Sequence, residues 1–326
     1  IIREAGIVGM GGATFPSHVK LSPPSDKKVE FFILNGAECE PYLTSDYRSM
    51  LEYTDRIVSG VKIIMKILKA EQGFVGIEDN KKDAIEVMEK AFQETGVQVV
   101  ALPTKYPQGA EKMLIKVLTE REVPSGRLPM DVGAVVQNVG TCIAVSDAVE
   151  RGIPLIQRVT TLSGGALKEP KNLLLRIGTT FRYAIDLCGG FKETPVKVVM
   201  GGPMMGFAQS NLEVPVMKGV SGILSLSKSD VNTGTETACI RCGRCLNACP
   251  MSLNPSMLSI LGQNNLYREA KEDYNLLDCV ECGSCVYVCP AKRNIVQYVK
   301  YLKAENAAQA ARDKAEAEKN KEKVAK

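Results

Sequence analysis

The chain has 326 residues, 45% hydrophobic and 24% charged, with a formal net charge of +4. That length accommodates two or three domains, and the composition is that of a folded globular protein rather than a disordered one. The mild charge, with no tryptophan and 6% aromatic residues, offers no base-stacking surface for a nucleic acid.

No apolar run approaches the roughly 18 residues that a membrane-crossing helix needs, and VKIIMKILKA is broken by lysines. The opening IIREAGIVGM has neither an initiator methionine nor the three zones of a secretion signal, so a segment is expected to be missing in front of it. GIVGMGGATFP follows, a glycine-dense loop. Gly9, Gly11 and Gly12 either bring backbone N–H groups close to a phosphate or a flat ring, or simply make a tight turn.

VEFFILNGAE reads as a buried strand, and Met50 to Ala70 carries apolar residues at helical spacing. GFVGIED is a further strand, NKKDAIEVMEKAFQETG a helix, and VQVVALP a third strand. The alternation predicts an α/β domain over residues 1–153 with a parallel sheet covered by helices. Ligands are expected at the carboxyl ends of its strands. The loops there supply Asn35, Glu38 and Glu40, then Tyr106 and Glu111, then Asn138, a set of polar and aromatic groups that fits a flavin or nucleotide pocket. Glu78 has the position of a ribose-binding acid, but without a glycine fingerprint ahead of it a surface carboxylate is the expectation. His18, the single histidine, is read as a plain loop residue in preference to a proton carrier.

Residues 154–210 change to β-branched runs with one short helical piece and many glycines, which predicts a small α+β domain. Within it Met204 and Met205 of GGPMMG are expected to pack a core. Residues 211–230 read as a linker. Of the 11 cysteines, Cys39, Cys142 and Cys188 stand alone and are read as small buried hydrophobes. The other cysteines form CIRCGRCLNACP at 239–250 and CVECGSCVYVCP at 279–290. The odd total, the tight spacing and the lack of a signal peptide speak for metal binding in a reducing compartment rather than for disulfides.

Three cysteines at C-x2-C-x2-C wrap three corners of a 4Fe-4S cluster, and in the two-cluster ferredoxin pattern the cysteine before proline crosses to the other cluster. That pattern assigns Cys239, Cys242, Cys245 and Cys289 to one cluster and Cys279, Cys282, Cys285 and Cys249 to the other. Two four-cysteine zinc sites are the alternative; the triple spacing and the closing C-P weigh against them. About thirty residues separate the motifs, with helical periodicity broken near Gln263 to Asn265, so residues 231–302 are expected to form an α-helical ferredoxin domain. Arg241, Arg244, Lys292 and Arg293 flank the motifs and read either as a docking site for an acidic redox carrier or as a solvated face. Residues 303–326 form an Ala/Lys/Glu-rich tail of high helix propensity, expected as an exposed helix or a frayed end.

GMGGATFP followed by the paired cysteine motifs resembles the flavin-binding subunit of respiratory complex I and, more closely, the RnfC family of the Rnf (Rsx) electron transport complexes. The resemblance spans almost all of the chain to about residue 300. It implies a Rossmann-like FMN domain, a β-grasp (SLBB-like) domain and a two-cluster ferredoxin domain, in that order. In complex I the first loop reads G-R-G-G-A-G-F-P, where this chain has Met10 and Thr14 at two positions; Phe15 and Lys20 match residues that face nicotinamide and phosphate. The run N-A-D-E-S-E-P matches NGAECEP, keeping Asn35, Glu38 and Glu40 but with Ala37 and Cys39 substituted. Tyr106 and Glu111 match, whereas Ala110 replaces a glutamate. The run N-N-V-E-T matches QNVGT, with Asn138 kept and Gly140 in place of glutamate. These departures bear on nicotinamide binding more than on flavin binding.

The resemblance implies noncovalent FMN, two 4Fe-4S clusters and NAD(H) as substrate. The activity implied is exchange of a hydride with NAD(H) and relay of single electrons, with partner proteins in the membrane coupling NAD and ferredoxin chemistry to Na+ or H+ transport. The chain would sit peripherally at the cytoplasmic face of the membrane. A cobalamin reductase of the propanediol-utilisation type shares these motifs, and a flavin-free electron-carrier module is a further alternative.

Overall fold

A computed structural model of the chain describes residues 1–232 and 234–324. Two compact units result, one formed by Ile1–Asn232 and one that follows it.

After a short helix α1 (Ser17–Lys20), the first unit builds β1 (Phe31–Gly36), α2 (Ser45–Glu52), α3 (Thr54–Leu68), β2 (Gln72–Glu78), α4 (Lys82–Phe92), β3 (Val97–Leu102), α5 (Glu111–Thr119), β4 (Ala134–Asn138) and α6 (Val139–Arg151). The four strands pair in parallel in the order β3-β2-β1-β4. An unbroken apolar run makes β1 suited to the middle, because a parallel strand is covered on both faces. Alternate residues serve the two sides: Phe32 and Leu34 pack with Met50, Ile57, Ile64 and Val145, whereas Phe31 and Ile33 pack with Leu114 and Ile115 of α5. The chain steps from β1 outward to β2 and β3, then returns to the other side of β1 as β4. That reversal opens a crevice at the carboxyl ends of β1 and β4, where an open α/β sheet takes its ligands.

The same unit continues with β5 (Gln157–Ser163), β6 (Lys171–Arg176), α7 (Phe181–Asp186), β7 (Lys197–Met200), β8 (Phe207–Gln209) and β9 (Gly222–Leu226). They form a mixed sheet in the order β6-β5-β9-β7-β8. Helix α7 covers it through Phe181, Ala184 and Ile185, which meet Leu162, Leu175, Val198 and Ile223. Thr180 Oγ1 caps α7 by accepting from the Tyr183 amide at 3.2 Å, a contact that contributes about 1 kcal/mol.

The expectation of a linker over 211–230 is corrected by β9, which is buried along its whole length and lies between β5 and β7. Its five residues GILSL sit among serines and glycines, so the short apolar run lacks the alternation that marks a half-exposed strand. Met204 and Met205 are also corrected. Neither lies in the core; Met204 is half-buried and Met205 is 46% exposed, on the turn between β7 and β8.

The second unit contains α8 (Arg244–Asn247), α9 (Pro255–Gln263), α10 (Tyr267–Glu272), α11 (Ser284–Tyr287) and α12 (Ile295–Val324). Asn254 caps α9 by accepting from the Met257 amide at 3.2 Å, and Pro255 occupies the first turn, where its missing N–H costs nothing. The break between α9 and α10 falls at Asn264–Leu266, with Asn265 at φ 59°. Leu258, Leu261, Ala270, Leu276, Val299 and Leu302 close this small core. The expected tail from residue 303 is helical, continuing α12, and its Lys303 belongs to the cysteine region rather than to a free end. Its Nζ donates to the Cys279 carbonyl and to Glu281, each at 2.7 Å.

Candidate functional site

The glycine loop is fastened to the β4–α6 junction. The Met10 amide donates to Thr141 Oγ1 at 3.0 Å, and the Gly9 amide closes the loop on the Phe15 carbonyl at 2.8 Å. A Cβ on Gly11 would lie 3.4 Å from Asn138 Cβ, so the loop passes directly over the end of β4. Gly11 and Gly12 face solvent, and Phe15 is 53% exposed beside them. Lys20 of α1 pairs with Glu111 at the start of α5 at 2.5 Å. Loop backbone and Asn138 thus meet at the end of β4, while Lys20 is held at the head of α5. This donor set suits a phosphate-bearing flavin, and the loop after β3 adds Gln108, whose Nε2 is buried without a hydrogen-bond partner.

The polar residues singled out from sequence brace one another. Asn35 Nδ2 donates to the Gly109 carbonyl at 2.9 Å while its Oδ1 accepts from the Ala37 amide at 3.1 Å, tying the β1 loop to the β3 loop. Glu38 caps α2, accepting from Ser45 Oγ and from the Asp46 and Tyr47 amides at 3.0–3.1 Å. Glu40 accepts from the Met204 amide at 3.0 Å, the Met205 amide at 2.9 Å and Tyr106 Oη at 3.4 Å. Asn138 Nδ2 donates to Asp46 at 2.6 Å, and its Oδ1 accepts from the Gly140 amide at 2.9 Å at the head of α6. His18 is half-buried on α1.

Two expectations here are corrected. Glu78 is 3% exposed rather than on the surface, because Lys81, three residues on, reaches back to its carboxylate at 2.7 Å. Cys39 is half-buried against Gly109 instead of fully buried, and burial pushes its thiol up to about 11. Cys142 and Cys188 are buried as expected.

Sequence reading did not single out Asp46, Thr141 or Arg158. Arg158 extends from β5, buried, and donates to the Met10 carbonyl at 3.3 Å and the Lys218 carbonyl at 2.6 Å. It acts electrostatically on Asp46 and Glu38, and all three are desolvated. Burial, reinforced by the Asp46 charge, raises the Glu38 carboxyl to about 7 against the pull of its three hydrogen bonds. Burial also raises Asp46, with Asn138 and Arg158 opposing, and lowers Arg158 to about 10 against the attraction of both acids. Desolvation outweighs attraction on each side, so the network is held by geometry more than by charge. A cavity lined by Met10, Asp46, Gly140 and Arg158 adjoins the loop. One signal for Arg158 was available: a lone cation within the β-branched run QRVTTLS.

In the second unit the two motifs fold alike. Arg241 and Glu281 take φ 56°, Gly243 and Gly283 take φ 74° and 82°, and Ser252 and Lys292 take φ 54° and 52°. Such left-handed positions turn each loop around a common centre, and Gly243 and Gly283 occupy them without steric cost. Cys245 lies near Cys289 and Cys239, and Cys285 near Cys279, Cys282 and Cys249. Cys249, Cys279, Cys282 and Cys285 line one cavity together with Pro250, Leu258 and Ile295. Amides of Leu253 and Glu281 donate to the sulfurs of Cys249 and Cys279, each at 3.4 Å. Among the described residues no three Cys, His, Asp or Glu side chains gather at the spacing a single ion needs; a cubane instead spreads its thiolates over separate iron corners.

The first loop differs in exposure, for Cys242, Arg241 and Arg244 face solvent. Arg293 does not join them. It is 4% exposed, with Nε donating to Ser259 Oγ at 3.2 Å and Nη1 3.6 Å from Glu236, so the flanking basic set is smaller than expected.

Comparison with known proteins agrees with this organisation. Residues 2–147 match the family described as Nuo51 FMN-binding domain, 159–208 the SLBB domain and 233–290 the 4Fe-4S dicluster domain. The chain is 79% identical over 315 residues to the C subunit of the proton-translocating ferredoxin:NAD(+) oxidoreductase complex of Clostridium ljungdahlii, covering 97% of this chain and 69% of that protein. It is 51% identical over 310 residues to the C subunit of the Na(+)-translocating ferredoxin:NAD(+) oxidoreductase complex of Acetobacterium woodii, covering 95% and 70%. The corresponding subunit of the ion-translocating oxidoreductase complex of Rhodobacter capsulatus is 46% identical over 260 residues, covering 79% of this chain and 50% of that protein. A solved NAD+-reducing [NiFe]-hydrogenase shares the fold, with a TM-score of 0.65 at 17% identity over 93% of this chain and 61% of that one. The chain belongs to the RnfC family, which supplies the flavin-domain and dicluster subunit of the ion-translocating ferredoxin:NAD(+) oxidoreductase complexes.

Proposed function

We infer that this chain is the NAD(H)-facing flavo-iron-sulfur subunit of such a complex. The observation that supports the reading is the presence, in one chain, of a glycine loop passing over the end of β4 and of two cysteine loops that fold alike, with Cys249 of the first lining a cavity together with Cys279, Cys282 and Cys285 of the second. Bound FMN would supply the exchange between a two-electron hydride donor and one-electron clusters. Gly9, Gly11, Gly12, Asn35, Asn138 and Lys20 are the residues that would hold it. Phe15, Glu38, Glu40, Tyr106 and Glu111 would shape the nicotinamide side. Cys239, Cys242, Cys245 and Cys289 would ligate one cluster, and Cys279, Cys282, Cys285 and Cys249 the other, with Leu253 and Glu281 amides tuning the second through their sulfurs.

No helix among the described residues is long and apolar enough to cross a membrane. On this reading the chain docks peripherally, at the cytoplasmic face, on partner subunits that move Na+ or H+. Identities of 79% and 51% to the two ferredoxin:NAD(+) oxidoreductase relatives favour this assignment over a cobalamin reductase. The test is electron transfer between NADH and ferredoxin in vesicles carrying the complex. Transfer that disappears when this chain is omitted, and returns on adding it back, supports the reading; transfer unaffected by its omission contradicts it.

A further inference from the structure

We propose that the turn Gly201–Gly206 of the β-grasp domain is the positioning element for Glu40, which makes this domain a second wall of the nicotinamide–flavin site. The inference rests on the functional reading above. Glu40 Oε1 accepts from the Met205 amide at 2.9 Å and from Tyr106 Oη at 3.4 Å, whereas Oε2 accepts from the Met204 amide at 3.0 Å. A carboxylate offers about four lone-pair sites, so Oε2 keeps one for a hydroxyl or carboxamide N–H of a nicotinamide nucleotide.

The approach is close enough to exclude a side chain. A Cβ on Gly202 would fall 2.0 Å from Glu40 Oε2, and one on Gly206 2.3 Å from the Gly202 carbonyl, so the turn is tight as well as close. The segment following Glu40 is fastened to the same domain. Tyr42 Oη donates to Asp230 at 3.1 Å, the Thr44 amide donates to Thr161 Oγ1 at 3.0 Å, and a Cβ on Gly222 would collide with Leu43 Cδ2. Residues 40–44 therefore take their position from the β-grasp sheet as much as from the strand that precedes them.

The side chains of Met204 and Met205 contribute nothing to this grip; their amides do. Gly202→Ala is expected to displace Glu40 from these amides. In the assembled, flavin-loaded complex, NADH oxidation with a one-electron dye as acceptor should show a KM for NADH raised about tenfold by Gly202→Ala, the loss expected for one hydrogen bond to a charged group. The kcat should stay within about twofold and the flavin content should be unchanged. In a Glu40→Ala background Gly202→Ala should add nothing, because the pair acts as one unit.

An unchanged KM in Gly202→Ala, loss of flavin, or an equal increment in the Glu40→Ala background would overturn the inference. Failure of NADH to bleach the flavin of the unaltered complex would overturn the functional reading with it, so the two failures are told apart by the unaltered protein.

Discussion

Replacing Arg158 by methionine keeps much of the side-chain volume and removes the buried cation that acts on Asp46 and Glu38. It also withdraws the donor from the Met10 and Lys218 carbonyls. Breaking a buried charge network at one member costs about 3–5 kcal/mol. For a unit of this size each kcal/mol lowers Tm by about 2–4 °C, so the flavin-bearing unit should melt roughly 10 °C lower near neutral pH. The pH dependence separates charge from packing. The folded-state pKa of Glu38, about 7, lies above its ordinary 4.5, so its contribution to stability is complete below 4.5 and is lost as pH rises to 7. Without Arg158 both acids are raised further, and the loss extends to higher pH. The deficit of the variant should therefore widen as pH rises through about 7 and above. Release of flavin fluorescence on heating the full-length chain measures it at each pH. A deficit that is constant across that range would refute the electrostatic role and leave only the hydrogen bonds.

Glu38→Gln removes the group that titrates near 7, so the decline in stability between pH 4.5 and 7 should flatten; at the acid end of that range the variant should be weaker by about 1 kcal/mol through the impaired α2 cap, as thermal unfolding would show. Cys249→Ser and Cys282→Ser are expected to alter the same cluster signal in low-temperature electron paramagnetic resonance, and Cys242→Ser and Cys289→Ser the other. Grouping of Cys249 with Cys242 would disprove the crossed ligation. Lys303→Met removes a cation held 2.7 Å from the Cys279 carbonyl and should make the associated cluster harder to reduce, by on the order of tens of mV in a redox titration. An unshifted or raised potential would contradict that placement.

The cysteine loops were legible because their information is local: spacing, a glycine and a closing proline suffice to specify how each loop turns. The parallel sheet was legible too, since the run FFILNG and its neighbours are apolar on both faces and the intervening helices have a clear period. What sequence did not show is long-range. Arg158 pairs with Met10 from 148 residues further along the chain, and Glu40 meets amides of residues 204 and 205, pairings that leave no periodic trace. Strand β9 was hidden by its brevity and its serines, and the burial of Glu78 depends on a lysine one turn away whose direction no pattern encodes. The polar residues expected to face a cofactor proved to be shared, because a strand-end loop must satisfy its own backbone before it can hold a ligand.

The most direct test is a cofactor count on the anaerobically purified chain, followed by an NADH titration watched at the flavin and cluster absorbances. The expectation is one FMN and about eight iron atoms per chain, with both chromophores bleached by NADH. Iron without flavin, zinc in place of iron, or a flavin that NADH leaves oxidised would contradict the account.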